Sequence, residues 1–303
     1  MAVDRDRVGM GWRQPLAAGI FAHLDAIDVV EVIAENCVRS RLRERRSLRA
    51  LGREVPLLVH GVGLGPASVS AVDERRLGDI ARVVAALEPC AWSEHLSFVR
   101  SGGYEIGHLA APPRNAATVA GAARNLRRLR QVVGMPPAVE NIATLMAPPA
   151  SSLEEPDWVA AIAAAAGTPL LLDLHNLYAN AVNFGHEPLD YLLRFPLPQV
   201  TIVHISGGVH IDAAALAGEP PVARLLDDHL HDVPDAVFHL LEVLAARCPQ
   251  PLTVILERDG RFPAMGVLME QLRRARSALA AGRARALARL RTAQGGAHAL
   301  LAT

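Results

Sequence analysis

The sequence predicts an α/β fold, a single (β/α)8 barrel of the TIM type with a C-terminal helical extension. Eight short apolar runs are typical of strands, and helical patterns separate most of them. Several runs are apolar throughout, as strands covered on both faces should be. The runs begin at Val8, Val29, Val55, Pro89, Pro136, Thr168, Gln199 and Pro251. We therefore expect a barrel domain over residues 1–280 and a helical or loose tail over residues 281–303.

The segments between these runs carry helix start and stop signals. Helical patterns cover residues 41–53, 73–88, 116–133 and 155–166, and the last of these has Pro156 near its start and Gly167 at its end. Strand and helix in alternation favour parallel pairing through right-handed crossovers. The longest stretch without a predicted element runs from Ser206 to about Pro234, and long loops on such barrels are usually functional.

Composition argues against several classes of protein. The net charge is zero, with 31 basic and 31 acidic residues, so no global field attracts nucleic acid or a membrane surface. No apolar run reaches the roughly twenty residues that a membrane span needs, and the N-terminal residues lack the apolar segment of a signal peptide. The three cysteines lie far apart and are expected to be reduced. We expect a cytoplasmic protein that binds neither nucleic acid nor membrane.

Six of the eight runs end on a histidine or a carboxylate. In a parallel barrel all strand C-termini open onto one face, so these side chains should meet there. A carboxylate at the end of a buried strand is costly unless it is paired or bound to a cation. The six residues are His60, His95, Glu140, Asp173, His204 and Glu257. Asp227 and His229 follow in the long stretch, two positions apart, and an extended chain would point both the same way.

These residues predict a metalloenzyme with several ions. Imidazole and carboxylate ligands without thiolate suit iron, manganese or zinc. The ligands outnumber what one ion can use, so two or three ions should share bridging carboxylates. Glu140, central in strand order, is the expected bridge. Zinc would make the site hydrolytic through an activated water, and iron would make it an oxygen-activating site.

The order and spacing of several motifs resemble the multinuclear non-haem iron-dependent oxidative enzymes. The resemblance runs from Val8 to about Leu279. The matching stretches are GMGWR, EVIAEN, LLVHGVGLG, WSEHLSF, VENI, LLDLHNLYANAVNFG, VHISGG, LDDHLHDVPDAVF and ILERDG.

The resemblance implies a barrel that holds two to three iron ions (Fe2+/Fe3+) and uses dioxygen as co-substrate. Its substrate would be a cysteine-containing, ribosomally synthesised precursor peptide, often presented by a small companion protein. Glu140, Asp173 and His204 would be the catalytic residues. The implied metal ligands are His60, His95, Glu140, Asp173, Asn176, His204, Asp227, His229 and Glu257.

The expected distribution of these ligands uses three ions. His60 and His95 would hold one iron with help from Glu140. Asp173, His204 and Glu257 would hold the central ion. Asn176, Asp227 and His229 would hold the third.

Two positions depart from the family pattern. Where the family usually has Asp-x-Asn-Asn, this chain has Asp173-Leu174-His175-Asn176, and His175 is expected on the strand face of Asp173 as a ligand or a supporting residue. Where the family often has His-x-Ala-Gly-His, this chain has His204-Ile205-Ser206-Gly207-Gly208, so the second histidine is missing. Both changes leave the particular substrate and reaction open.

Two other functions are compatible with such a cluster of metal ligands at the carboxyl ends of the strands. One is a zinc- or manganese-dependent barrel, either a hydrolase of the endonuclease IV type or an isomerase like xylose isomerase. Zero net charge disfavours the nuclease, which should present a basic face. The other is a non-catalytic, metal-stabilised peptide-binding protein, whose metal would need all its coordination positions closed.

Overall fold

Eight parallel strands close into a barrel in the computed structural model of the protein, which describes residues 5–101, 104–213 and 222–300. In chain order the strands are β1 (Arg7–Gly11), β2 (Val30–Ile33), β3 (Leu57–Gly61), β4 (Ala91–His95), β5 (Phe98–Ser101), β6 (Tyr104–Ala110), β7 (Ala138–Glu140), β8 (Leu170–Asp173), β9 (Val200–Ile205), β10 (Gly208–Ala213), β11 (Val222–Asp227) and β12 (Thr253–Leu256). Around the barrel the order is β1-β12-β9-β8-β7-β4-β3-β2. Each predicted run overlaps one barrel strand, so the predicted fold class is confirmed.

Helices cover the outside of this barrel. They are α1 (Ala17–Ala22), α2 (Ala34–Arg39), α3 (Leu42–Glu54), α4 (Glu74–Leu87), α5 (Ala116–Val133), α6 (Glu155–Ala166), α7 (Leu174–Phe184), α8 (Pro188–Arg194), α9 (Asp235–Arg247) and α10 (Met265–Leu300). The four predicted helical segments correspond to α3 to α6. The caps explain their bounds: Asp73 accepts a hydrogen bond from the Arg76 amide at the start of α4, and Gly167 ends α6 with a left-handed backbone.

Two antiparallel hairpins project from the carboxyl end of the barrel. β5 pairs with β6, and β10 pairs with β11 with Gly208 opposite Asp227. The second hairpin lies in the stretch from Ser206 to Pro234, so the expectation that this stretch has no regular element is wrong. Its outer edge is held by Asn183, whose side chain accepts from the Leu225 amide at 2.7 Å and donates to the Leu225 carbonyl at 3.0 Å. That support comes from a distant side chain, which a local pattern does not reveal.

A layer of apolar side chains fills the barrel beneath its carboxyl face. It consists of Val29, Leu58, Ala138, Leu171, Ile202 and Ile255, all buried. Side chains two positions apart on a strand share a face. The residues two positions further along, which are Glu31, His60, Glu140, Asp173, His204 and Glu257, therefore face the same interior one step higher. The fold thus places a polar layer directly above an apolar one.

Side chains of the long helix α10 bind chain segments at the opposite end of the barrel. Arg276 of α10 binds the Asp28 carboxylate and donates to the carbonyls of Val8 and Ala26. The helix runs without interruption from Met265 to Leu300. The division into a domain over 1–280 and a tail over 281–303 stays a prediction. Within the described ranges, none of the helices combines the length and apolarity needed to cross a membrane.

Candidate metal centre

Six buried side chains of the polar layer and β4 converge at the carboxyl end of the barrel. We call them the inner group, and each is at most 8 % exposed. They are His60, His95, Glu140, Asp173, His204 and Glu257. Potential ligand atoms of His60, His95 and Glu140 lie within 4.8 Å of one another, and so do those of Glu140, Asp173, His204 and Glu257. The structure therefore assembles the first two sets of side chains that the sequence predicted.

Glu140 belongs to both sets because its two oxygens face different neighbours. Its Oε2 lies 3.5 Å from Nε2 of His60 and 3.4 Å from Nε2 of His95. Its Oε1 lies 3.3 Å from Nδ1 of His204. Oε2 is buried, and no residue of the described chain makes a hydrogen bond to it. This is the geometry expected of a carboxylate that joins two cation sites.

His60 and His95 each use their second ring nitrogen to hold the ring in place. Nδ1 of His60 lies 2.7 Å from the Ser93 hydroxyl, and Nδ1 of His95 donates to the Gly61 carbonyl at 3.1 Å. A metal-binding histidine usually anchors its other nitrogen in this way, which fixes the tautomer and the orientation of the ring. In both rings the unanchored Nε2 faces Glu140.

His204 is anchored by a carboxylate that the sequence analysis missed. Its Nε2 donates to Oε2 of Glu31 at 3.0 Å, and both side chains are buried. Its Nδ1 lies 3.1 Å from Oε2 of Glu257 but makes no hydrogen bond to any described residue. Glu31, His60 and His204 also place ligand atoms within 4.8 Å of one another. The signal for Glu31 was available, because it follows the apolar layer residue Val29 by two positions.

Asp173 and Asn176 lie where β8 passes into α7. Oδ1 of Asp173 accepts from the Asn176 amide at 2.6 Å and caps the helix, while its Oδ2 is buried without a partner in the described structure. The Asn176 side chain donates to the Asn141 carbonyl at 3.1 Å, and its own Oδ1 is buried with no hydrogen-bond partner among the residues that the structure describes. Within this part of the chain, each residue therefore uses one polar atom for structure and presents another without a partner.

Asp227 and His229 form a second, more exposed group that we call the outer pair. Oδ2 of Asp227 lies 2.9 Å from Nε2 of His229, yet Nε2 makes no aligned hydrogen bond within the described chain. The strand ends at Asp227, and His229 has a left-handed backbone with φ of 54°. The two residues meet through this turn, so the expectation that an extended chain aligns them is wrong. Left-handed non-glycine residues are strained and cluster at functional sites.

The outer pair is tied to the rim of the barrel through Asp259. Nδ1 of His229 donates to Oδ2 of Asp259 at 3.3 Å, and Nε of Arg13 donates to Oδ1 of Asp259 at 2.8 Å. His229 also lies 3.5 Å from Oε2 of Glu257, which connects the outer pair to the inner group. Among the described residues, Asp227 and His229 do not join a third acidic or histidine side chain in a set as compact as the inner ones.

His175 does not lie on the strand face of Asp173. β8 ends at Asp173 and α7 begins at Leu174, so strand parity no longer applies and that expectation is wrong. The His175 ring is buried and its Nδ1 donates to Oδ1 of Asp227 at 2.8 Å. His231, two residues beyond His229, is paired with Asp228 at 3.0 Å.

Charge is unevenly balanced within the site. Burial raises the pKa of Asp173 well above its ordinary value, and the carboxylates of Asp227 and Glu140 raise it further. Burial also opposes ionisation of Glu257, but the His204 imidazole holds the pKa of Glu257 well below its ordinary value. Burial lowers the pKa of His204, but the Glu257 carboxylate and its neighbours outweigh it and raise that pKa well above normal. The surroundings of Asp173 thus oppose its ionisation, whereas those of Glu257 favour it.

Divalent or trivalent cations fit this arrangement. Five buried polar atoms around the site lack hydrogen-bond partners in the described structure: Glu140 Oε2, Asp173 Oδ2, Asn176 Oδ1, His204 Nδ1 and His229 Nε2. Buried polar groups are almost always satisfied, so such a concentration needs an explanation. A cation supplies one, because it satisfies oxygen and nitrogen lone pairs and offsets the carboxylate charge. The donor set, nitrogen and oxygen without sulfur, suits iron, manganese or zinc.

A cavity of about 630 Å³ leads to the site between the two hairpins. His95, Glu140, Asn176, Asp227 and His229 line it. Its remaining wall is mostly apolar and includes Leu109, Ile142, Leu145, Met146 and Leu226. The cavity thus reaches both the inner group and the outer pair.

Alignments with curated relatives extend over most of this chain. A UPF0276 protein of Streptomyces avermitilis is 35% identical over 271 residues, which are 87% of this chain and 53% of that protein. The chain therefore spans about half the length of this relative. A UPF0276 protein of Anaeromyxobacter is 30% identical over 267 residues, which are 88% of this chain and 90% of that protein.

Solved structures share the fold at low sequence identity. An L-ribulose 3-epimerase aligns with a TM-score of 0.58 and 12% identity, covering 95% of this chain and 98% of the epimerase. A D-psicose 3-epimerase from Clostridium cellulolyticum H10 aligns with a TM-score of 0.56 and 10% identity, covering 92% and 99%. These likenesses confirm the barrel and carry no information on activity.

The family profile described as RiPP precursor modification enzyme MbnB/TglH/ChrH matches residues 7–280. This range contains every residue of the inner group and the outer pair. It also contains both hairpins and the cavity between them. The chain belongs to this family of RiPP precursor modification enzymes.

Proposed function

We propose that this protein is an iron-dependent oxidoreductase that uses dioxygen to modify a cysteine residue of a RiPP precursor peptide. One observation carries the proposal: ligand-type atoms that have no hydrogen-bond partner among the described residues converge in the barrel of a precursor-modifying family member. The family membership supports a peptide substrate. The donor set supports iron but admits manganese and zinc, so the identity of the metal is the first point to test.

Two to three iron ions would be held by three sets of side chains. The first set is His60, His95 and Glu140; the second is Glu140, Asp173, His204 and Glu257; the third is Asn176, Asp227 and His229. Bound iron would supply the one-electron redox chemistry that oxidation by dioxygen requires. Of these residues, Glu140, Asp173 and His204 are proposed as catalytic. Glu140 belongs to the first and second sets, and ligand atoms of Asp173 and His204 lie within 4.8 Å of it in the second.

Residues around the site would orient the imidazole rings of the metal ligands. Ser93, Gly61 and Glu31 each hold one nitrogen of an imidazole, so His60, His95 and His204 present the other nitrogen in a fixed direction. Parallel barrel strands are rigid carriers for such groups, and rigid carriers give more precise sites than loops. The arrangement would therefore change little when the ions and the substrate bind.

The cavity would bind the cysteine and the residues beside it. A side chain that enters between the hairpins reaches the outer pair and Glu140 from the same opening. The apolar walls, such as Ile142 and Met146, would displace water around the reacting residue. Exclusion of water strengthens electrostatic interactions in a site and suppresses side reactions. We expect an apolar residue next to the modified cysteine.

Two further elements of the proposal concern the cellular setting. A small companion protein would present the precursor peptide to the cavity. The protein would act in the cytoplasm, where cysteine residues of a newly made peptide are reduced. Copurification of a tagged copy of this chain from its native cell, followed by identification of stoichiometric partners, tests the companion. The absence of any such partner from an active preparation would remove it from the proposal.

Co-expression with a cysteine-bearing peptide encoded beside the gene tests the function. We expect a mass change confined to the cysteine, dioxygen uptake in step with it, and no change in a Cys→Ser peptide. Stoichiometric colourless zinc, with no dioxygen uptake and no change at the cysteine, would instead support a hydrolase or an isomerase. Tight peptide binding without turnover, with iron and a reductant present, would support a non-catalytic binding protein. Either result would overturn the proposal.

A further inference from the structure

His175 contacts Asp227 of the outer pair from outside the cavity lining. Its ring is 1 % exposed, and its Nδ1 donates to Oδ1 of Asp227 at 2.8 Å. Asp227 lines the cavity, whereas His175 is not among the described residues that do so. Within the described structure, the hydrogen bond to Asp227 therefore connects His175 to the cavity wall.

The two oxygens of the Asp227 carboxylate have different partners. Oδ1 accepts from His175 at 2.8 Å and from the Ser206 hydroxyl at 3.3 Å. Oδ2 is left facing Nε2 of His229 at 2.9 Å. A donor that fixes one oxygen of a ligating carboxylate sets the direction in which the other oxygen binds a metal.

Gly208 is the residue that makes room for this arrangement. It lies opposite Asp227 in the β10–β11 hairpin. A Cβ atom at position 208 would overlap the Leu226 carbonyl oxygen and would lie 2.5 Å from Cε1 of His175, closer than real Cβ contacts come. The glycine thus allows the hairpin to pair and the imidazole to stand against it at the same time. The His175 ring therefore packs against the backbone at position 208.

We propose that His175 is a positioning residue that acts through Asp227 to set the outer metal ligands, and that Gly208 is required for it. The inference rests on the proposed function, because it takes Asp227 and His229 to be ligands. It adds a supporting contact to that site, an imidazole at position 175 for which the absence of a side chain at position 208 leaves space. The inner group does not depend on this contact.

The test compares two amide substitutions at the same position. In His175→Asn the amide nitrogen can occupy nearly the place of Nδ1, whereas in His175→Gln the amide lies beyond it. Each protein is loaded with ferrous iron alone under anaerobic conditions. Iron per chain, the dissociation constant from chelator competition and the Mössbauer spectrum are measured. His239→Gln, at an exposed histidine of α9, is the control for loss of an imidazole.

We expect His175→Gln to bind the iron of the outer pair about 10- to 100-fold more weakly, as is usual when an outer-shell partner of a ligand is lost. The Mössbauer component of that iron should shift or vanish while the others remain. His175→Asn and His239→Gln should resemble the wild-type protein. Equal iron affinity and spectra in all four proteins would overturn the inference but leave the proposed function standing. A wild-type protein that takes up no iron would overturn both.

Substitution of Gly208 provides a second, independent test of the proposal. Gly208→Ala adds one methyl group and should weaken the same iron, whereas Gly266→Ala, where a Cβ meets nothing within 4 Å, is the matched control. Because positions 175 and 208 act on the same carboxylate, the effect of His175→Gln combined with Gly208→Ala should be smaller than the two separate effects added together. Strict additivity, or a Gly208→Ala protein with unchanged iron binding, would contradict the proposal.

Discussion

The inner group and the outer pair are held by different kinds of structure. The inner side chains stand on or directly after barrel strands, above the apolar layer, and all six residues are buried, the His95 side chain being 11 % exposed. The outer pair stands at the end of a hairpin and on a left-handed turn, with side chains 14 % and 17 % exposed. The inner positions follow from strand register, whereas the outer ones depend on contacts from His175 and from Asp259, which in turn accepts a hydrogen bond from Arg13.

The difference separates a fixed part of the site from an adjustable one. Strand register is shared by the whole barrel, so a single substitution cannot move an inner ligand far. The outer pair borders the cavity and is supported by a few hydrogen bonds, so one substitution can displace it. We therefore expect the inner ions to bind tightly and the outer ion to respond to substrate and to nearby substitutions.

The largest effect is expected from Glu140→Gln, because Glu140 joins the two inner sets. Loss of its charge should remove most of the iron and lower turnover by more than about 100-fold, beyond the range expected of a residue outside the ligand set. The metal-free protein should stay folded, since the change removes a buried charge and keeps the shape of the side chain. Iron analysis, turnover and urea unfolding of the metal-free protein measure these effects.

Glu155→Gln is the matched control for Glu140→Gln. Glu155 is also buried, but its Oε2 accepts from the Tyr191 hydroxyl at 2.7 Å and from Asn180 at 2.9 Å. Its replacement should cost about 1–3 kcal/mol of stability, the usual range for a buried charged hydrogen-bonding group, and leave iron binding intact. A Glu155→Gln protein that loses iron as Glu140→Gln does would show that iron loss reports general damage.

A smaller effect is expected at the outer pair. His229→Ala should remove about one iron per chain and leave the inner ions in place, since it takes one ligand from the third set only. His229→Gly should lose the same iron but unfold at higher urea concentration than His229→Ala, because a left-handed backbone costs a non-glycine residue about 1–2 kcal/mol. Loss of all iron in either variant would mean that the two groups form one cooperative unit.

Glu31→Gln should have a milder effect on the inner group. The amide oxygen can still accept from Nε2 of His204, but the negative charge that supports this imidazole is lost. We expect iron affinity to fall by roughly tenfold, the lower end of the range for outer-shell partners. Chelator competition measures it. Unchanged affinity would show that Glu31 plays no part in orienting His204.

The smallest effect on the site is expected from Asp28→Asn, at the opposite end of the barrel. Asp28 accepts from the Val8 amide at 2.9 Å and pairs with Arg276 of α10. Burial raises the pKa of Asp28, but the Val8 amide and Arg276 outweigh it and leave that pKa below its ordinary value. The carboxylate therefore stabilises the fold above about pH 4, and this stability is lost as the pH falls through the lowered pKa.

At pH 7, Asp28→Asn should cost about 1–3 kcal/mol in urea unfolding and leave iron binding unchanged. The difference from the wild-type protein should shrink as the pH drops below about 4. A difference that stays constant down to pH 2 would show that the charge of Asp28 has no role.

The barrel could be predicted from the sequence because its signals are local. Each strand is a short apolar run, and α4 to α6 carry caps such as Asp73 and Gly167 at their ends. Strand register then brings His60, Glu140 and their neighbours together with no further information.

The remaining features depend on contacts between distant segments. The β10–β11 hairpin is held by Asn183, about forty positions away, and Asp259 reaches His229 only across the folded rim. The predicted position of His175 was wrong because Asp173, the last residue of β8, is also the N-cap of α7. The position of Glu31 could have been predicted, since the strand period of two from Val29 points its side chain into the barrel.

The most direct test of the central claim is the iron content of the wild-type protein after anaerobic loading, measured beside Glu140→Gln. If the carboxyl end of the barrel holds several ions joined by Glu140, the wild-type chain should bind two to three irons with a Mössbauer signature of coupled sites. The Glu140→Gln variant should bind at most one iron. A wild-type chain that binds no iron, or an unchanged count in the variant, would contradict the account.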